Sequence, residues 1–209
     1  MKNIKLSGNF SSGQGPVINL RCPICGHNGT FERIGDTDLC DINIAIWFGQ
    51  RKCPNSNCRG HIFYIQKQDK TLYTYPPEII NFNKDGIPDN VLFAFDEAVK
   101  CHSNSCFIAS AIMIRKTLEE ICVDRGSKGD NLKKRLQDLG AKILIPKELI
   151  EGMDELRLLG NDAAHIESHT FEEIGKEEIE ISIEFTKEIL KGVYQYEGLL
   201  SKLRGLKKS

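Results

Sequence analysis

The chain has 209 residues, 27% of them charged, and the charges nearly cancel to a formal net charge of -1. That balance excludes attraction of the whole molecule to nucleic acid or an acidic membrane, so any such contact must use a local patch. No stretch approaches the roughly 18 uninterrupted apolar residues of a membrane helix. The opening MKNIKLSGNFSSGQGPV also lacks the apolar core of a secretory signal, and the expectation is a cytoplasmic protein without membrane contact.

Residues 1–15 are rich in Ser, Gly and Asn and read as a flexible leader. From 16 to 75 the pattern is short, turn-punctuated and β-like. One strand is expected over Thr30 to Ile34. A second is expected over Leu39 to Phe48, where Ile42, Ile44, Ile46 and Phe48 alternate with Asp41, Asn43, Ala45 and Trp47. His61 to Gln66 and Thr71 to Tyr75 read as a hairpin turning at Asp69-Lys70. Residues 76–88 form a linker, because Pro76-Pro77 blocks helix and Asp85-Gly86 signals a turn.

Within the β-like stretch lie two thiol pairs, Cys22-Pro-Ile-Cys25-Gly and Cys53-Pro-Asn-Ser-Asn-Cys58-Arg-Gly. Each is followed within two residues by a Gly that lets the backbone fold beneath an ion. The intervening residues suffice for an excursion of two or three strands that brings the pairs together. Four soft thiolates in tetrahedral array suit Zn²⁺ with no open position, hence a structural ion. A module this small and poor in apolar residues has few other means of staying folded. His27 and His61 adjoin the pairs as possible substitutes, and the all-thiolate set is preferred. Cys40 reads as a small buried hydrophobe. Cys101 and Cys106 lie at a helix–helix corner without a partner pair.

From 89 to 206 the period is helical. Asn90 to His102 places Val91, Leu92, Phe95, Ala98 and Val99 inward, and a second helix runs from Ser105 or Cys106 to Asp124. The first half of that helix, FIASAIMI, is apolar all round and suits the centre of a bundle. A short helix over Asn131 to Leu139 follows the Gly126–Gly129 break. A fourth runs from Pro146 to His165, with Leu149, Met153, Leu156, Leu159, Ala163 and Ile166 toward the core. Thr170 to Glu173 resembles a capping box ahead of a long last helix, Lys176 to Leu206.

On a different face of the fourth helix, Arg157, Asn161 and His165 follow at i, i+4 and i+8, one turn apart. Such a stripe is either a phosphate site with a titratable group beside it or the solvated end of a core helix. Arg125, Lys128, Lys133, Lys134 and Arg135 form a basic cluster around the third helix, and Lys202, Arg204, Lys207 and Lys208 a basic tail. Both are candidates for phosphate contact or for ordinary solvated helix ends. Arg115 and Glu119 read as a surface ion pair. No phosphate-binding loop, dinucleotide fingerprint, nucleophile elbow or metalloprotease helix is present.

Leu156-Arg-Leu-Leu-Gly-Asn-Asp-Ala-Ala-His165, the helix Cys106 to Asp124 and the start of the last helix, Ile174-Gly-Lys-Glu-Glu, resemble the HEPN superfamily (higher eukaryote and prokaryote nucleotide-binding domains). The closer likeness is to a bacterial branch that carries an N-terminal zinc ribbon, and it spans nearly the whole chain. The resemblance implies a mainly α protein: a HEPN-like antiparallel helical bundle preceded by a small β zinc ribbon. It also implies a homodimer through the Arg157–His165 helix. In active members an Arg, its polar neighbour and a His form a composite groove that cleaves RNA without metal. The 2′-OH attacks the adjacent phosphate, His serves as acid or base, and Arg stabilises the charge.

His165 matches that His and Asn161 the polar neighbour, while Gly160 stands in the Arg slot. Arg157, one turn earlier, is the nearest substitute and lies about 4–5 Å away along the axis. The expectation is an RNA-binding module of a prokaryotic conflict system such as anti-phage defence, acting as a ribonuclease if Arg157 reaches the phosphate. The alternative is a non-catalytic adaptor whose ribbon and bundle hold a protein partner.

Overall fold

Two stretches of differing periodicity build two compact units, Met1–Asn81 and Phe82–Ser209. The computed structural model describes residues 4–36, 38–68, 72–165 and 174–206, except the side chain of residue 197.

In the first unit, alternating apolar residues make an antiparallel sheet of β1 (Phe10–Gly13), β4 (Glu32–Arg33), β5 (Asp38–Asp41), β6 (Ile46–Lys52), β7 (His61–Gln66) and β8 (Leu72–Tyr75). The strand order is β1-β5-β6-β7-β8, with β4 on one end of β6. A separate ribbon pairs β2 (Asn19–Arg21) with β3 (Asn28–Thr30). One sheet face closes over Ile18, Phe31, Ile62 and Tyr64, together with Cys22 and Cys53.

Three expectations change here. Phe10–Gly13, within the stretch read as a loose leader, pairs with β5, and the Ser7 N–H and hydroxyl both donate to the buried Asp41 carboxylate. Leu39 to Phe48 is a hairpin rather than one strand. Asp41 Oδ1 accepts the Asn43 N–H at 3.2 Å, and Ala45 takes φ 50°, so the chain reverses between β5 and β6. Thr30 to Ile34 is interrupted because Phe31 turns into the core and donates its N–H to Ile18 O at 2.9 Å. His61–Gln66 is a strand as expected, whereas the Asp69-Lys70 turn lies outside the described residues.

The second unit contains α1 (Asp89–Ser103), α2 (Phe107–Asp124), α3 (Leu132–Lys142), α4 (Lys147–Ala164), α5 (Lys176–Leu190), a π-helical turn at Lys191–Gln195 and α6 (Tyr196–Gly205). Helix α2 touches α1, α3, α4 and α5 and is the centre of the bundle. Its first half is not buried all round, however: Ser110, Ala111 and Ile114 face inward, while Ile108 and Ile112 are exposed. Asn131 caps α3 by accepting the Lys134 N–H, and Glu178 caps α5 by accepting the Gly175 N–H. The capping box expected at Thr170–Glu173 lies outside the described residues.

The expected single last helix is broken at the π-helical turn. There Gln195 rotates into the interior and donates to the carbonyls of Asn83 and Asp85 at 2.9 and 3.2 Å. One extra residue per turn is what lets a polar side chain at this position point inward. Among the described residues α6 packs only on that turn, leaving Leu199, Leu200 and Leu203 exposed. No helix among the described residues is long and apolar enough to cross a membrane.

Candidate metal centre and helical face

The two Cys pairs sit on matching turns. Cys22 donates its N–H to His27 O at 2.9 Å and Cys53 donates to Gly60 O at 2.8 Å, so each loop closes back on its first cysteine. Gly26 holds φ 73°, where glycine is favoured. Gly60 is required by space: a Cβ there would stand 2.7 Å from Ile24 Cδ1 and 3.1 Å from Cys58 Sγ.

These turns bring the sulfurs of Cys22, Cys25, Cys53 and Cys58 within 4.8 Å of one another. Cys22 Sγ lies 3.9 Å from Cys58 Sγ, and Cys25 Sγ lies 3.7 Å from Cys53 Sγ. A disulfide needs about 2.05 Å, which excludes cross-linking. Four thiolates around one ion at about 2.3 Å would be about 3.8 Å apart, and the Cys22–Cys58 and Cys25–Cys53 distances match that edge. The backbone N–H groups of Ile24 and Gly60 point at Cys22 and Cys58 sulfurs at 3.4 and 3.3 Å, and the Asn55 amide lies 3.8 Å from Cys25 Sγ. Such donors stabilise sulfur in its anionic form.

The electrostatics of the cluster are compatible with a bound cation. The His27 N–H aimed at Cys25 brings that thiol down to about 7, whereas burial pushes Cys53 up to about 12 and Cys58 upward. Crowded thiols cannot all ionise by themselves, and a bound divalent ion removes the conflict. His27 and His61 are both exposed and stand outside the four-sulfur group. Cys40 is buried, as a small core residue should be. Cys101 is half-buried and Cys106 exposed, and neither belongs to a metal-holding group among the described residues.

Sequence reasoning missed the polar cluster beneath the sheet. Arg51, 1% exposed, makes two hydrogen bonds to Asp38, 4% exposed, at 2.7 and 2.9 Å, and its guanidinium lies 4.5 Å from the centre of the Tyr64 ring. Gly15 donates its N–H to the same carboxylate, and Pro16 O accepts from Arg51. Every charge is answered, so the cluster is architecture. The glycines at 15 and 49 were its one visible signal, since a side chain at either would run into Asp38.

In the helical unit the Arg157, Asn161 and His165 stripe is incomplete as a helical surface. Arg157 is largely buried, with Nε on Asp154 Oδ1 at 2.6 Å. Asn161 is half-buried, and its carbonyl accepts the His165 N–H at 2.9 Å. Helix α4 ends at Ala164, so His165 follows on extended backbone (φ −130°, ψ 122°) and is exposed. The rotation that aligned three polar heads therefore no longer applies to the third. Gly160 is buried against α2, where a Cβ would collide with Arg115 Cβ and lie 2.9 Å from Arg115 Cδ and 3.2 Å from Ala111 O. Arg115 also pairs with Glu119 at 3.3 Å.

The basic cluster is partly neutralised. Arg125 donates to Val193 O, stacks 4.4 Å from the Tyr194 ring centre and pairs with Asp124 at 3.5 Å. Lys134 pairs with Asp130 at 2.8 Å. Arg135 is half-buried; Lys128 and Lys133 are exposed, without an ion pair among the described residues. Lys202 and Arg204 are exposed on α6, and Lys207 and Lys208 lie outside the described residues.

Residues 96–208, which run from α1 to the end of α6, match the family described as "Domain of unknown function (DUF4145)". No curated protein matches the chain, and no solved structure does.

Proposed function

The chain belongs to the DUF4145 family, and on that premise we propose that it is an RNA-binding module of HEPN type, fronted by a zinc ribbon. The ion is Zn²⁺ in a purely structural role, because four thiolates leave no position for water or substrate. The RNA face is the exposed end of α4, His165 with Asn161, supported by Lys128 and Lys133, whose ammonium groups are unpaired among the described residues. Two copies would pair through the Arg157–His165 segment, and the exposed Ile108 and Ile112 on α2 supply apolar surface for that contact. The setting is the cytoplasm of a prokaryote, in conflict systems such as anti-phage defence.

One observation favours holding RNA over cutting it. Gly160 is packed under Arg115, and the nearest substitute, Arg157, is engaged by Asp154. Neither is free to stabilise the charge that develops on a cleaved phosphate, and misplacement of about an ångström already costs on the order of a hundredfold in rate. We therefore favour retention over cleavage.

The test is labelled single-stranded RNA with the purified full chain in a magnesium-free, zinc-replete buffer, beside His165→Ala. Binding without cleavage, weakened in the variant, is the expected result. Appearance of 2′,3′-cyclic phosphate ends that vanish in the variant would instead establish the ribonuclease. Absence of both would favour the second reading, a protein-binding adaptor, for which the exposed Leu199, Leu200 and Leu203 of α6 offer a partner surface.

A further inference from the structure

The face of the sheet turned away from the metal-side core carries aromatic rings where a sheet surface exposed to water usually carries polar residues. The pairing of β7 with β8 puts Phe63 opposite Tyr75 and Ile65 opposite Tyr73, and the pairing of β6 with β7 puts Lys52 opposite His61. Directly paired residues share a face, so these side chains form one surface. Phe63 is 51% exposed and Tyr75 71%. The His61 and Phe63 rings lie 4.8 Å apart, extending the patch along β7. Lysines stand at both ends of the patch: Lys67 Nζ lies 5.6 Å from the Tyr73 ring centre, and Lys52 pairs with exposed Glu32 at 2.9 Å. Beyond Tyr73 an open groove lined by Ile44, Ile46, Lys67 and Gln68 continues past Lys67.

We propose that His61, Phe63, Tyr73 and Tyr75 form a stacking platform for single-stranded nucleic acid, with Lys67 contacting a phosphate at the Tyr73 end. Rings on neighbouring strands are about 5 Å apart, close enough for consecutive unstacked bases to meet successive rings. Every base has a π-face, so such a surface tolerates any sequence, and the Lys67 ammonium complements the backbone charge. The platform rests on the RNA-binding reading above and gives the N-terminal unit a share in it.

With one phosphate engaged, binding depends weakly on salt: the expected log–log slope for Lys67 is roughly −0.7. The deciding experiment is fluorescence anisotropy of the zinc-loaded full chain with labelled oligo(U) and oligo(dT). The variants are Phe63→Ala/Tyr75→Ala, Tyr75→Phe and, for comparison, His165→Ala. All the altered side chains are exposed, and an unchanged melting curve confirms that the variants fold.

Stacking predicts that the double variant loses on the order of a hundredfold in affinity for both probes, about tenfold per ring. It also predicts that Tyr75→Phe binds like the parent. Binding that survives Phe63→Ala/Tyr75→Ala but falls with His165→Ala overturns the platform and leaves the RNA-binding reading standing. No binding of either probe by the parent overturns both. Loss of self-association in the double variant, with RNA affinity unchanged, would assign the face to protein contact and likewise overturn the platform.

Discussion

Gly160 and Arg115 are one contact: the α4 backbone reaches α2 where Gly160 has no side chain, and the Arg115 stem lies across the space. A Cβ at Gly160 would collide with Arg115 Cβ and would also lie 2.9 Å from Arg115 Cδ and 3.2 Å from Ala111 O. Alanine gains about 1 kcal/mol of helix propensity over glycine, but overpacking a close contact costs about 1–3 kcal/mol. Gly160→Ala is thus expected to lower the melting temperature of the helical unit by a few degrees. Gly160→Arg, which rebuilds the motif on paper, is expected to unfold α4 from α2 without producing ribonuclease activity. Thermal denaturation read at 222 nm, with an RNA cleavage assay beside it, checks both.

The thiolate centre should fail as a unit. Replacing Cys53, the most buried of the set with Cys22, by Ser removes one of the four proposed ligands and, on that proposal, is expected to abolish stoichiometric zinc. Cobalt substitution gives the readout: the parent should show intense thiolate-to-cobalt absorption and Cys53→Ser should not. Chelation should unfold residues 1–81 while leaving most of the helical signal of residues 82–209, since the two are separately compact.

The Asp38–Arg51 pair ties folding to acid. Burial by itself would raise the Asp38 pKa, but the hydrogen bonds and charge of Arg51 outweigh it and hold the carboxyl below its usual range. The folded-state pKa is depressed, so the pair stabilises above the unfolded value of about 4 and loses that stabilisation as pH falls toward the folded one. Asp38→Asn should flatten this acid limb. Arg51→Met strands a buried carboxylate and is expected to cost about 3–5 kcal/mol in urea unfolding at neutral pH.

His102 gives a second pH dependence, at higher pH. Its ring is largely buried on α1 beside Phe107; burial lowers its pKa, and Glu180 at 3.4 Å opposes that only in part, with Lys176 adding to the lowering. A base whose folded pKa is depressed stays neutral when folded, so the bundle is penalised as pH falls below the unfolded value of about 6.5. His102→Phe should keep the packing and remove this slope. Guanidinium midpoints between pH 7.5 and 5, compared for the two proteins, measure it.

Much of the architecture follows from local chemistry and is legible in the sequence. The cysteine spacing with its trailing glycines names four sulfurs that the fold brings together, because each pair makes its turn within a few residues. The 3.6-residue rhythm placed the helices to within a few residues of α1, α2 and α4, because helix formation is decided turn by turn. What only the tertiary structure decided concerns direction and partners. An alternating run such as Leu39 to Phe48 is equally good as one strand or as a hairpin, and the Asp41 turn chose the hairpin. Gln195 turned inward for two carbonyls more than a hundred residues away, which no periodicity can announce. Helical rhythm marks where Gly160 falls on α4. That it faces Arg115, and so cannot bear an arginine, is set by how two helices approach, a relation between distant parts of the chain.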